Sequence, residues 1–114
     1  MTRAQIVQFG DVTVDLETEQ VFRNGRRVEL SAREFAADAL RGINGDDARS
    51  AGLRDTLSAY FKAGQNASST AAALRVHEAT IARRLSEVEK RTGQRVNQRR
   101  AELETALRLR RLLD

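Results

Sequence analysis

The chain contains no cysteine and a single histidine, His77. Without cysteine there is neither a disulfide framework nor a thiolate metal site. One histidine cannot build a histidine-based metal cluster. No apolar run approaches the roughly 20 residues needed to cross a bilayer, and the opening "MTRAQIVQFGDV" lacks the apolar core of a signal peptide. These absences point to a soluble cytoplasmic protein without a membrane partner. Also missing are a Gly-rich phosphate loop, a nucleophile–base pairing, an H-E-x-x-H motif and an acidic metal cluster. Asp46-Asp47 and the pair Asp11 and Asp15 read as loop and strand-edge charges. The expectation is a protein that is not an enzyme, needs no cofactor or metal, and shows no evident small-molecule site.

Its 114 residues leave room for one compact domain or two very small ones. Charge divides unevenly along them. Residues 1–50 hold 7 arginines against 9 carboxylates, a net of −2, whereas residues 51–114 hold 13 lysines and arginines against 7 carboxylates, a net of +6. A basic half joined to a slightly acidic one suggests that one part faces a polyanion. Lysine is scarce: of the 20 basic residues only Lys62 and Lys90 are lysines. Arginine's planar fork suits phosphate and guanine edges, although a GC-rich genome produces the same bias.

The first thirty residues carry strand signals. "IVQF" and "VTVDL" alternate with period two, and Val12, Val14 and Leu16 share a face. Two β-prone runs flank Asn24-Gly25, a dipeptide that accepts the positive φ angles of a type I′ hairpin turn. Gly10-Asp11 makes an earlier turn, giving three or four short antiparallel strands. At Ser31 the period changes. Ser31 and Glu34 stand at capping-box spacing and start a helix that runs to about Arg41. "GINGDDARS", residues 42–50, is a polar connector. Beyond it Leu53, Leu57, Tyr60 and Phe61 are spaced for one buried helical face, which Gly64 ends. A short helix follows from Ser68 or Ser69, then a turn at Val76-His77, then a helix over roughly 78–92 with Ile81, Leu85 and Val88 buried and Gly93 as its stop. The last helix, capped near Asn97, reaches Leu113 and buries Leu103, Ala106, Leu107 and either Leu109 or Leu112.

A short helix, a tight turn and a second helix make a helix-turn-helix. Its helices cross steeply, so the first needs a very small residue at the contact. Ala71 occupies that place, Val76 plugs the turn, and Ile81 and Leu85 face inward four apart. In such a motif the first residues of the second helix meet base edges in the major groove. Here they are His77, Glu78, Ala79 and Thr80, followed one turn on by Ala82, Arg83 and Arg84. Small residues allow close approach, Arg83 and Arg84 can reach phosphate or guanine, and Glu78 can accept from cytosine N4. Ser69 and Thr70, at the start of the first helix, complete the expected DNA-binding set.

Residues 53–113 resemble the C-terminal helix-turn-helix domain of the PucR/CdaR-type bacterial transcription regulators. The resemblance rests on Asp55, Thr56, Leu57 and Tyr60, on Gly64 and Asn66, on "TAAALRVHEAT" at 70–80, on the run from Arg84 to Gly93, and on the closing "ALRLRRLL". It implies a Fis-like helix-turn-helix, a homodimer, and a location in the bacterial cytoplasm at the nucleoid. The recognition helix departs from the family's pattern. Glu78-Ala79 replaces Arg-Asn after the histidine, and Ala82-Arg83 replaces Arg-Tyr before the final arginine. More weakly, residues 6–35 resemble the small sheet that opens OmpR-type winged-helix domains, including the "NGRRVELSAREF" passage into a helix.

The expected fold class is α+β: a small antiparallel sheet plus one helix over 1–45, then a helical bundle over 46–114 containing the helix-turn-helix. The expected function is sequence-specific double-stranded DNA binding in transcription regulation, as a homodimer. Leu109, Leu112 and Leu113 are left for a partner if Leu103 and Leu107 close the bundle. The competing reading is a protein-interaction adaptor in which the helix-turn-helix is only a scaffold.

Overall fold

A computed structural model describes residues 6–113 and confirms the α+β class. Four strands, β1 (Ile6–Phe9), β2 (Val12–Asp15), β3 (Gln20–Arg23) and β4 (Arg26–Ser31), form an antiparallel sheet in chain order. Val14 pairs with Val21 and Val21 with Val28, which puts these valines on one face. Val12, Val14 and Val21 are fully buried there. Asn24 and Gly25 both have positive φ, 52° and 77°, as the type I′ turn requires. Gly10 also lies in the left-handed region at the first turn.

Ser31 ends β4 and caps α1 (Ala32–Ala39) through a complete capping box, its Oγ accepting from the Glu34 amide at 3.2 Å. Phe35, Ala36 and Ala39 form the buried stripe of α1. The chain divides into two compact units, residues 1–40 with 101–114, and residues 41–100. The last helix, α5 (Arg100–Leu113), therefore belongs almost wholly with the sheet, whereas the sequence reading groups it with the helix-turn-helix. The physical reason is cover. One eight-residue helix cannot close the apolar face of a four-stranded sheet, and α5 supplies a second buried stripe of Leu103, Ala106, Leu107 and Leu109. Glu102 anchors its first turn to Arg23 of β3 at 2.8 Å. Leu109 is fully buried and Leu112 is 51% exposed, which decides between those two leucines and shrinks the apolar surplus expected at this end.

The second unit holds α2 (Ala48–Lys62), α3 (Ala67–Leu74) and α4 (Glu78–Thr92). Asp47 caps α2 by accepting from the Ser50 amide at 2.9 Å. The 41–47 connector is held against α2 by Arg54, which donates to the carbonyls of Ile43 and Gly45 at 2.7 and 2.6 Å. Gly42, at φ 97°, passes so close to the end of α4 that a Cβ there would overlap the Arg91 carbonyl. On α2 the residues Leu53, Leu57, Tyr60 and Phe61 are buried as their spacing predicts. Two boundaries and one buried position differ from expectation. The short helix α3 begins at Ala67 instead of Ser68 or Ser69, and Asn66 caps it by accepting from the Ser69 amide. Leu85 is half-buried. A 3-10 turn (Val96–Gln98) precedes α5, so Asn97 does not cap it. Instead the Asn97 Oδ1 accepts from the Tyr60 hydroxyl at 3.2 Å and the Gln65 amide at 2.9 Å.

Candidate nucleic-acid interface

The helix-turn-helix is α3, a three-residue turn and α4. Arg75 ends α3 in the left-handed region, at φ 58°, where glycine is the usual residue. The Val76 amide donates to the Ala71 carbonyl at 3.0 Å, closing the turn. Ala71 is buried on the inner side of α3, with Ala72 and Ala73 exposed. On α4 the inner positions are Ile81 and Val88, both fully buried.

His77 is the N-cap of α4, and its side chain makes no capping hydrogen bond. The first amides of α4 therefore receive no hydrogen bond from the N-cap side chain, and a helix amino end of that kind attracts phosphate. Ala79, Arg83, Ser86 and Lys90 follow one another at helical spacing and all are exposed. Glu78 and Ala82 flank that stripe and are exposed too. The outer face of α4 is thus small side chains with Arg83 and Lys90 standing above them.

The eight residues expected from the sequence do not share one surface. Ser69, His77, Glu78, Ala79 and Arg83 are exposed and Thr80 is half-buried. Thr70 is fully buried, and its hydroxyl donates to the Asn66 carbonyl at 2.7 Å. Arg84 turns away from the outer face and donates to the Thr56 hydroxyl of α2 at 3.1 Å. Helical phase explains both: Thr70 lies between Ala67 and Leu74, which are half-buried, and Arg84 between Ile81 and Val88, which are fully buried. Arg75 is exposed between the two helices and was not among the expected residues. Its place at the left-handed turn position just after Leu74 is the signal that could have marked it.

A charge cluster fixes α4 against the start of α2. Glu87 accepts from Arg49 and pairs with Arg91 at 2.9 Å. The Arg49 hydrogen bond is the main reason that the Glu87 carboxyl is held below its ordinary pKa, and the same contact raises that of Arg49. The Asp47 carboxyl is also lowered, chiefly by the Ser50 backbone amide. These carboxylates serve the scaffold, not the outer face.

The family model of the PucR C-terminal helix-turn-helix domain matches residues 53–109, from α2 into α5. Neither the curated proteins nor the solved structures contain a match to the chain. The matched segment is half of the chain and includes the whole α3–turn–α4 arrangement, and the protein belongs to the family defined by the PucR C-terminal helix-turn-helix domain, a DNA-binding regulatory domain.

Proposed function

We propose that this protein is a transcription regulator that binds specific double-stranded DNA sequences as a homodimer, with α4 as the recognition helix. The outer face of α4 carries the proposal: small residues at Ala79 and Ala82 permit close approach to the groove floor, and Arg83 stands beside them. Glu78 would accept from cytosine N4 and Arg83 would donate to guanine or phosphate, while the uncapped amides behind His77 would take a backbone phosphate. Ser69, at the start of α3, would reach a second phosphate, with Arg75 supplying charge between the helices. Of the two arginines, Arg83 would be the principal contact, because the Arg84 guanidinium is engaged with Thr56.

A dimer would set two recognition helices about 34 Å apart, on successive major grooves. Leu112, half exposed near the end of α5, is the apolar residue best placed to meet a second copy. The deciding experiment is an anisotropy titration with mixed-sequence duplex at several salt concentrations, followed by selection of bound sequences from a random pool. Binding that falls with a log–log slope of about −0.9 per phosphate contact, with enrichment of a palindromic site, is the expected result. No binding at micromolar protein and low salt would instead favour the adaptor role.

A further inference from the structure

The net charge of residues 1–50 argues against a nucleic-acid role for the sheet, but the strand topology separates that charge. In the meander, the turns at Gly10-Asp11 and Asn24-Gly25 lie at one end, tied by the Asn24 amide donating to the Asp11 carbonyl at 2.9 Å. The β2–β3 connection lies at the other. Asp15, Glu17 and Glu19 all fall at that second end, where they have local duties. Asp15 accepts from the Glu17 amide at 3.0 Å, and Glu19 faces Arg33 at 3.5 Å. Arg23, Arg26 and Arg27 all fall at the first end, where Asp11 is the one carboxylate of the strand connections.

The backbone that carries those arginines is set by the hairpin. The type I′ turn fixes the ribbon, and Arg23 and Arg26 are directly opposed across it. Like charges so placed repel. Glu102 neutralises Arg23, but among the described residues no carboxylate pairs with Arg26 or Arg27, and both are exposed. They are successive strand residues, so they project to opposite sides of the ribbon. One arginine on either side of a narrow ribbon matches a groove walled by phosphates on both sides. The amino end of α5 lies at this same end, with Ala101 beside Gly10, and adds the positive end of its dipole.

We infer that the β3–β4 hairpin tip is a second, sequence-independent DNA contact, in which Arg26 and Arg27 bind backbone phosphates of duplex DNA. The inference rests on the DNA-binding reading above but uses different residues. The test is the full-length R26Q/R27Q variant, titrated beside wild type, R83A and R33Q against both mixed-sequence and selected duplexes. Two lost phosphate contacts should lower the magnitude of the salt slope by about 1.8 and weaken binding roughly ten- to a hundredfold on both duplexes alike. R33Q should leave the slope unchanged. The melting temperature of R26Q/R27Q should match or exceed that of wild type, because repulsion from Arg23 is relieved. A wild-type slope in R26Q/R27Q, alongside loss of binding in R83A, overturns the hairpin contact and leaves the recognition helix standing. Weakened binding in R26Q/R27Q with full binding in R83A supports the hairpin and removes α4. No binding by wild type overturns both.

Discussion

Arg84 of α4 donates to the hydroxyl of Thr56 on α2 at 3.1 Å, and Thr56 is itself fully buried. Its neighbour Arg83 projects to solvent. Adjacent arginines on one helix therefore have different surroundings, one packed on α2 and one in solvent. Arg84→Ala should lower stability by about 1 kcal/mol, the usual worth of a half-buried hydrogen bond, and change DNA affinity less than about threefold. Arg83→Ala should leave the melting temperature alone and weaken DNA binding by about 1–3 kcal/mol. Thermal denaturation and anisotropy of the two variants check this. An Arg84→Ala protein that melts like wild type but has lost DNA binding would reverse the assignment.

Ala71 and Ala79 give the matching contrast between small residues. Ala71 is buried on α3, so leucine there should cost about 1–3 kcal/mol through overpacking. Ala79 is exposed, so Ala79→Leu should melt normally while obstructing entry to the groove. Urea denaturation and DNA titration of both proteins distinguish these effects, and identical melting of the two would show that the helix phase is misread.

Gly42 and Gly64 both adopt positive φ, but only Gly42 meets backbone: a Cβ there would lie 2.7 Å from the Arg91 carbonyl carbon and closer still to its oxygen. Gly64 has open space around it. Gly64→Ala should therefore cost only the left-handed penalty of about 1–2 kcal/mol. Gly42→Ala should cost clearly more, because α4 must also shift. Equal denaturation midpoints for the two variants would contradict the close approach.

Acid should loosen the second unit. The Glu87 and Asp47 carboxyls are held below their ordinary values, so the folded state binds protons less readily than the unfolded chain. Their stabilising contribution is full above about pH 5 and is lost as pH falls through the ordinary carboxylate range near 4 and below it. Glu87→Gln should flatten this acid limb. Denaturation midpoints measured from pH 7 to pH 3 test it, and a variant limb as steep as that of wild type would exclude Glu87 as a contributor.

Local chemistry carries its own instructions, and wherever it governs, the sequence alone determined the outcome. The Asn24-Gly25 turn, the Ser31–Glu34 capping box, the glycine stop at Gly93 and the inner positions Ala71, Ile81 and Val88 are each specified by residues within about a turn of one another. Side-chain spacing on one helix or strand is enough to set them. What tertiary structure decided involves partners far apart in the chain. The placement of α5 with the sheet depends on an apolar face some eighty residues earlier that needed a second cover. Asn97 looks like a cap in sequence, but Tyr60 and Gln65 reach its side chain first. Arg84 looks like a groove contact until Thr56 supplies an acceptor from another helix. Asp15, Glu17 and Glu19 already precede Arg23, Arg26 and Arg27 in the sequence, but only strand pairing shows that the length of β3 sets the two groups at opposite ends of one sheet. Alternating turns send chain neighbours of opposite charge to opposite ends of the sheet, which a running charge count averages away.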